Sequence, residues 1–440
     1  MKSNGIEFDP DIENALAWLC SLVPGNNDFT SRLVKSQRDY ILESQKKENF
    51  GKDFPVGTYG SDLVACFFSQ AKSLLDNRRA YEITTASHII PWVKQLGLII
   101  SFLNNIPGAK DRAKRMLESH TVHPASALFE LIIAGNYATQ GFDVEFIPEE
   151  KGRAKTPDFK MRKEGREFFY VECKRLSKGQ YAIAEQDSHR QHIDKVIEEI
   201  YISKLNFWIN IIYKNEIKNI PEDYLLNHLE KFRDNLYEWD DEHGSGFIKP
   251  VNIKTIKADI LNHGSLLFNT KLARLIKGSP LSDENYNIYG KGTPDERDPR
   301  FVKRIEHASL ITWKCVSEES FTARSRHVTS VLKDIDDQLE KFGKGAAHIA
   351  IDVDVQVDVA DLRRDKNNQA INEFKCKSQL IRVNTHYLVP RVDENSSWMI
   401  DETVVELLRY HPRHNLIPLV QILPNATLFD NGLPGWKQKQ

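Results

Sequence analysis

The chain has 440 residues, 40% of them hydrophobic, and 60 Lys/Arg against 62 Asp/Glu give a net charge of −2, which excludes a globally basic protein. That length suggests two to three domains with substantial cores, and the five scattered cysteines (20, 66, 173, 315 and 376) show no CxxC pairing, which argues for a reducing cytosol over a zinc or disulfide framework. No Lys/Arg-rich start leads into an apolar run and no apolar stretch is expected to reach membrane-spanning length, so the expectation is a soluble, cytoplasmic protein with no membrane contact.

Residues 1–120 read as an N-terminal helical domain with no chemistry of its own. Ile12, Ala15, Leu16 and Leu19 recur at helical spacing, Ser61-Asp62 offers an N-cap before Leu63–Phe68, and Ile89–Leu103 is a long apolar run. Residues 121–215 read as the core. Proline suits a first helical position, so His123-Pro124 opens a helix through Ala134. Glu130 lies inside that apolar run, where a carboxylate without a counter-charge is costly. Phe142–Ile147 alternates as a first strand. Phe159 and Met161 alternate with Asp158 and Lys160, and Phe169, Val171 and Cys173 alternate with Tyr170, Glu172 and Lys174. The two runs predict a hairpin with an apolar odd-numbered face and a polar even-numbered one. A three-residue loop Lys163-Glu164-Gly165, with Gly165 left-handed, would pair Arg162 with Arg166 and Asp158 with Tyr170. Asp158 and Glu172 would then be diagonal neighbours, about 7–8 Å apart at the backbone. Ala182–Leu205 reads as a helix and Phe207–Tyr213 as a buried strand.

Residues 216–320 read as an irregular insertion, with polar, Gly/Pro-rich loops at Trp239–Gly246 and Ser279–Arg300. Within and just after it, Arg274, Lys277, Arg300, Lys303, Arg304, Arg324 and Arg326 could line a groove; one by one they read as ordinary surface. Residues 321–440 read as a C-terminal α/β part: helix Arg326–Phe342 with an apolar stripe of Val328, Val331, Leu332, Ile335, Leu339 and Phe342, strands Ala346–Val355 and Leu380–Val392, and helix Asp401–Tyr410. Either helix–strand pair, 182–213 or 326–355, could complete the core, and the expectation is that both join one extended sheet. The i, i+3 histidine pairs at 120/123, 189/192 and 411/414 have no matching third ligand and read as surface or capping residues.

Chemistry concentrates at Thr156-Pro157-Asp158-Phe159, followed by Val171-Glu172-Cys173-Lys174-Arg175. Phosphodiester hydrolysis needs an activated water and neutralisation of charge on the phosphate; carboxylates holding a cation, with a lysine beside them, supply both. From Lys151 to Lys178 ten Lys/Arg face four acids, a local +6 that suits a polyanion. The Pro-Asp…Glu-x-Lys pattern resembles the PD-(D/E)XK nuclease superfamily, the restriction-endonuclease-like enzymes. The resemblance implies an α/β, restriction-endonuclease-like core, a mixed β-sheet flanked by helices, carrying the N-terminal and C-terminal additions. It implies catalytic Glu130, Asp158, Glu172 and Lys174, with Glu130, Asp158 and Glu172 holding Mg²⁺ (Mn²⁺ substituting) and Lys174 assisting the attacking water or the charged transition state. Arg153, Lys155, Arg175 and Lys178 are the expected phosphate contacts, which position a substrate without reading its sequence. The expected activity is a Mg²⁺-dependent DNA endonuclease, placed by analogy in bacterial restriction or anti-phage defence. Its partners would be DNA, and a second copy or a defence-system protein. The alternatives are an RNA-directed or structure-selective nuclease of the same fold, and a non-cleaving nucleic-acid-binding module.

Overall fold

A computed structural model describes residues 9–25, 28–46, 59–77, 80–121, 123–148, 155–176, 179–233, 235–278, 285–296, 298, 300–324, 328–353, 356–392, 398–408, 417–424 and 433–438. The described residues open with seven α-helices: α1 (Pro10–Leu22), α2 (Phe29–Ser44), α3 (Leu63–Asp76), α4 (Ile83–Ser87), α5 (Ile90–Leu103), α6 (Ala109–Met116) and α7 (Pro124–Thr139). Aspartates cap three of them by accepting from otherwise orphaned first-turn amides: Asp9 from Asp11, Asp28 from Ser31, and Asp62 from Ala65, the last as the sequence predicts. Gly97 lets α5 press against the start of α1, since a Cβ there would lie 1.8 Å from the Asp11 carbonyl oxygen.

These helices share one hydrophobic cluster with the strands that follow, including Trp92, Leu96, Phe129, Ile132, Phe159 and Val171, rather than closing a core of their own. The same cluster absorbs an apolar run that is longer than expected. Thr85–Leu103 is long and apolar enough to cross a bilayer by length and composition, and 61% of it is buried inside the protein.

Next come β1 (Asp143–Phe146), β2 (Phe159–Arg162), β3 (Phe169–Leu176), α8 (Gln180–Ser203) and β4 (Phe207–Tyr213). Then follow α9 (Tyr224–Leu229), β5 (Tyr237–Asp240), β6 (Gly244–Pro250), α10 (Ile253–His263), β7 (Leu266–Leu267), α11 (Thr270–Lys277), β8 (Asn285–Pro294) and β9 (Phe301–Cys315). After these come α12 (Glu318–Arg324), α13 (Val328–Leu339), β10 (Gly345–Asp352), α14 (Val357–Glu373), β11 (Leu380–Val392) and β12 (Trp398–Leu408), followed among the described residues by a 3-10 turn at Gly435–Lys437.

The strands form two mixed sheets, so the fold is α/β. The first runs β1-β2-β3-β10-β11-β12, with β3, β10 and β11 parallel; the second runs β5-β6-β4-β9-β7, with β8 also on β9. The expectation of one extended sheet is therefore wrong. β10 pairs in parallel with β3, and the preceding α13 buries its predicted stripe of Val328, Val331, Leu332, Ile335 and Leu339 against that sheet. β4 instead pairs with β6 and β9 in the second sheet.

Two further expectations fail for visible reasons. Residues 216–320 are not irregular but supply β5 to β9. Their glycines read as loop signals, yet Gly246 marks close strand approach: a Cβ there would lie 2.3 Å from the Asn210 carbonyl oxygen of β4. Asp401–Tyr410 is not a helix, since its described part belongs to β12. Its β-branched Thr403, Val404 and Val405 pair antiparallel with Thr385, His386 and Tyr387 of β11.

His189 and His192 are not surface residues either. α8 buries both against Tyr213, and His189 stacks on Trp313 with ring centroids 4.2 Å apart. Burial, with the His192 charge second, pushes His189 down to about 3. Its folded value lies below its unfolded value of about 6.5, so its contribution to stability is complete above that pH and is lost as pH falls toward 3. Between pH 7 and pH 5 this amounts to about 2 kcal/mol. His189→Phe is expected to remove that share of the acid sensitivity in urea unfolding; an identical pH dependence in the variant would refute the assignment.

Candidate active site

Glu130 reaches its position because α7 is apolar almost all round and buried among α5, the sheet and α6. The carboxylate is carried inside, with its side chain 10% exposed. Its counter-charge is Arg112 of α6. The guanidinium bonds Glu130 Oε2 and, through Nη2, Asp158 Oδ1 at 3.0 Å. One cation thus bridges two of the expected metal ligands.

The hairpin places the other two groups. Its register is Phe159↔Val171, Lys160↔Tyr170 and Met161↔Phe169, two residues away from the expected one. Because the shift is even, the faces are preserved, and Phe159, Met161, Phe169, Val171 and Cys173 all enter the shared core. The expected register would have set Arg162 against Arg166, like charges directly opposed. In the observed one the Arg162 guanidinium lies 4.6 Å from the Phe168 ring centre and Lys160 lies 5.0 Å from it. Gly165 does take the left-handed conformation, at φ +73°. Continued one step, the observed pairing sets Asp158 opposite Glu172 rather than diagonal to it. The Asp158 amide donates to the Val171 carbonyl, and Asp158 Oδ2 accepts from the Cys173 amide at 2.8 Å.

The even-numbered face carries the polar groups as expected, and at Glu172 it is buried. α13 covers it, leaving Glu172 1% exposed. Glu172 Oε1 accepts from Lys174 Nζ, which also donates to Gln338 Oε1 of α13 at 2.8 Å. Gln338 Nε2 in turn donates to the Thr156 carbonyl at 3.2 Å, tying the Thr156-Pro157-Asp158 loop to the lysine. Burial, then the Asp158 charge, pushes Glu172 up to about 8, against the opposing pull of Lys174 and Arg112. Burial and the Asp158 charge also raise Glu130 well above the usual carboxyl range, with Arg112 opposing. Burial works to lower the Lys174 amine, but the Glu172 carboxylate outweighs it and holds the value above normal.

The structure thus gathers Glu130, Asp158, Glu172 and Lys174 into one electrostatically coupled group. Among the described residues, no three His, Cys, Asp or Glu side chains stand in an arrangement that could hold a metal as they are. The donor chemistry nevertheless suits a hard divalent cation. All three acids offer carboxylate oxygens, and Glu172 Oε2 is buried with no hydrogen-bond partner.

The expected phosphate contacts fare differently. Lys155 is exposed beside the motif. Arg175 turns inward, with its guanidinium 4.8 Å from the Trp92 ring centre and 3.7 Å from Asp352. Arg153 and Lys178 lie outside the described residues. Arg112 and Gln338 were missed. Nothing in the run Ala109–Met116 sets Arg112 apart from Lys110, Lys114 or Arg115. Gln338 left a faint signal, a polar residue beside the apolar stripe of α13. No family model, no curated protein and no solved structure matches the chain.

Proposed function

We propose that the protein is a Mg²⁺-dependent nuclease hydrolysing phosphodiester bonds in DNA, resembling the PD-(D/E)XK enzymes, cytoplasmic, and acting in bacterial restriction or anti-phage defence. The observation that carries this reading is the convergence of Glu130, Asp158, Glu172 and Lys174 from α7, the segment entering β2, and β3, with two buried carboxyls strained toward protonation. Such crowding of acids is unfavourable for folding and is relieved by a cation. Glu130, Asp158 and Glu172 would hold Mg²⁺, with Mn²⁺ substituting. When bound, the metal supplies charge neutralisation at the phosphate and a more acidic water. Lys174 keeps its proton, held cationic by Glu172 and oriented by Gln338, and meets charge developing on the phosphate. Lys155 contributes backbone attraction at the rim. Incubation with linear, supercoiled and single-stranded DNA and with RNA, in Mg²⁺, tests the substrate; cleavage of RNA alone would move the reading to an RNA-directed enzyme.

One observation favours a second reading. Arg112 already supplies the positive charge that Glu130 and Asp158 require, as it would in a non-cleaving nucleic-acid-binding module. Arg112→Ala separates the two. Removing one member of a buried ion network costs about 3–5 kcal/mol, so the variant is expected to lose that much stability in EDTA. If the site takes a metal, Mg²⁺ restores part of the loss; if the network is purely structural, Mg²⁺ changes nothing in the melting curve.

A further inference from the structure

The charge of this chain is unevenly distributed. Residues 249–278 hold six Lys/Arg (Lys249, Lys254, Lys257, Lys271, Arg274, Lys277) against one acid, Asp259, so this stretch carries +5 and the remaining 410 residues −7. The stretch lies in the second sheet's part of the fold, away from the hairpin carboxylates in sequence and in sheet membership. It runs from the end of β6 through α10 and β7 to α11, and the two helices pack on each other and on β9.

Folding sorts its side chains sharply. Ile256, Ile260, Leu266 and Leu272 go inward to a cluster with Val302, Ile305 and Ala308. Lys254 and Lys257, three apart on α10, and Arg274 on α11 are left exposed. The single acid is neutralised from within the stretch, since Asp259 pairs with Lys271 at 3.0 Å and lies beside His263 at 3.4 Å. Lys254, Lys257 and Arg274 have no ion-pair partner among the described residues. At the head of the stretch Lys249 lies over Trp208, 4.2 Å from the ring centre, and over half-buried Phe247 at 5.6 Å.

We infer that the exposed sides of the neighbouring helices α10 and α11 make a second nucleic-acid surface, holding the phosphate backbone of duplex DNA through Lys254 and Lys257 of α10 and Arg274 of α11. Cations on a chain that is otherwise net acidic make this face a local attractor for a polyanion. An anionic membrane is the weaker occupant. Interfacial helices present an apolar face to the lipid, whereas here those faces are in the core and Leu261 is the one large apolar side chain the two helices leave exposed. The inference presupposes DNA as ligand, as in the proposed function, but not cleavage.

The test measures binding of a fluorescent 30-base-pair duplex by anisotropy in EDTA, over a series of salt concentrations. It compares the full-length protein with a Lys254→Glu, Lys257→Glu, Arg274→Glu triple variant. All three side chains are exposed, and an unchanged melting curve confirms folding. Affinity is expected to fall at least about tenfold, and the slope of log affinity against log salt to flatten by about 0.9 for each lost contact. An unchanged affinity and slope would overturn the inference. So would retained duplex binding together with lost flotation on phosphatidylserine vesicles, which would assign the face to lipid. If wild type never cleaves and the triple variant still loses binding, the nuclease reading fails while this one stands; if cleavage and binding both survive the triple variant, the reverse holds.

Discussion

Replacing Glu172 with Gln, or Lys174 with Ala, is expected to lower Mg²⁺-dependent cleavage of plasmid DNA at least about a hundredfold, because in the proposed reaction each change removes a charge that would act on the transition state. The two variants differ in stability, which separates chemistry from folding. Glu172 is almost fully buried, with a carboxyl pushed up to about 8. A folded value raised above the unfolded one gives stability that is complete below about 4.5 and is lost as pH rises through 8. Above that range the wild-type carboxylate is a burden on the metal-free fold. Glu172→Gln keeps the shape and lifts the burden, so its melting temperature in EDTA at pH 8 is expected to equal or exceed that of wild type. Lys174→Ala is expected to melt lower, since it strips Glu172 and Gln338 of their shared donor. Cleavage within threefold of wild type in either variant would remove these residues from the mechanism.

A stability loss as large as that of Arg112→Ala is expected at Glu402, on the edge strand of the same sheet. Its side chain is fully buried on β12, where Oε1 accepts from His386 Nδ1 at 2.6 Å and from the Ile422 amide at 2.8 Å, while Oε2 accepts from the Leu423 amide at 2.8 Å. Beyond His386 the chain continues, with His386 Nε2 2.8 Å from His348 Nδ1 and His348 Nε2 2.8 Å from the Tyr137 hydroxyl. With both imidazoles neutral, one direction satisfies every link: Tyr137 donates to His348, His348 to His386, and His386 to Glu402. Burial, first among the causes, holds His348 well below its ordinary value, consistent with a neutral His348. The network ties α7 through three strands to the segment 417–424, and Asn136 adds bonds to the Gln421 and Ile422 carbonyls. Glu402→Ala orphans three buried donors at once and is expected to cost about 3–5 kcal/mol in urea unfolding. A loss below about 1 kcal/mol would mean that water or a shift of 417–424 replaces the carboxylate.

How far the sequence reveals these features depends on whether the cause is local. The α7 start at His123-Pro124, the Asp62 cap, the α13 stripe and the odd-numbered core face of the hairpin are set by residues a few positions apart, and all are present as expected. Register is less local. An even shift leaves the alternation intact, so the pattern alone could not choose between Arg162 opposite Arg166 and the arrangement that brings Arg162 over Phe168. Sheet membership is not local at all, since the runs 207–213 and 346–352 are equally apolar and strand-like. Arg112 was invisible for the same reason, because its partners are 18 and 46 residues away. The buried relay did leave a trace: His386 alternates with Arg382 and Asn384 on one face of the strand pattern Leu380–Val392.

The most direct measurement of the central claim is a calorimetric titration of Mn²⁺ into the wild-type protein and into Asp158→Asn and Glu172→Gln variants, at pH 8 without nucleic acid. The account predicts saturable binding to wild type with heat lost in both variants, Arg112 giving way to the cation. Absence of binding in wild type, or equal binding in all three proteins, would contradict it and leave the carboxylates as a structural ion network closed by Arg112.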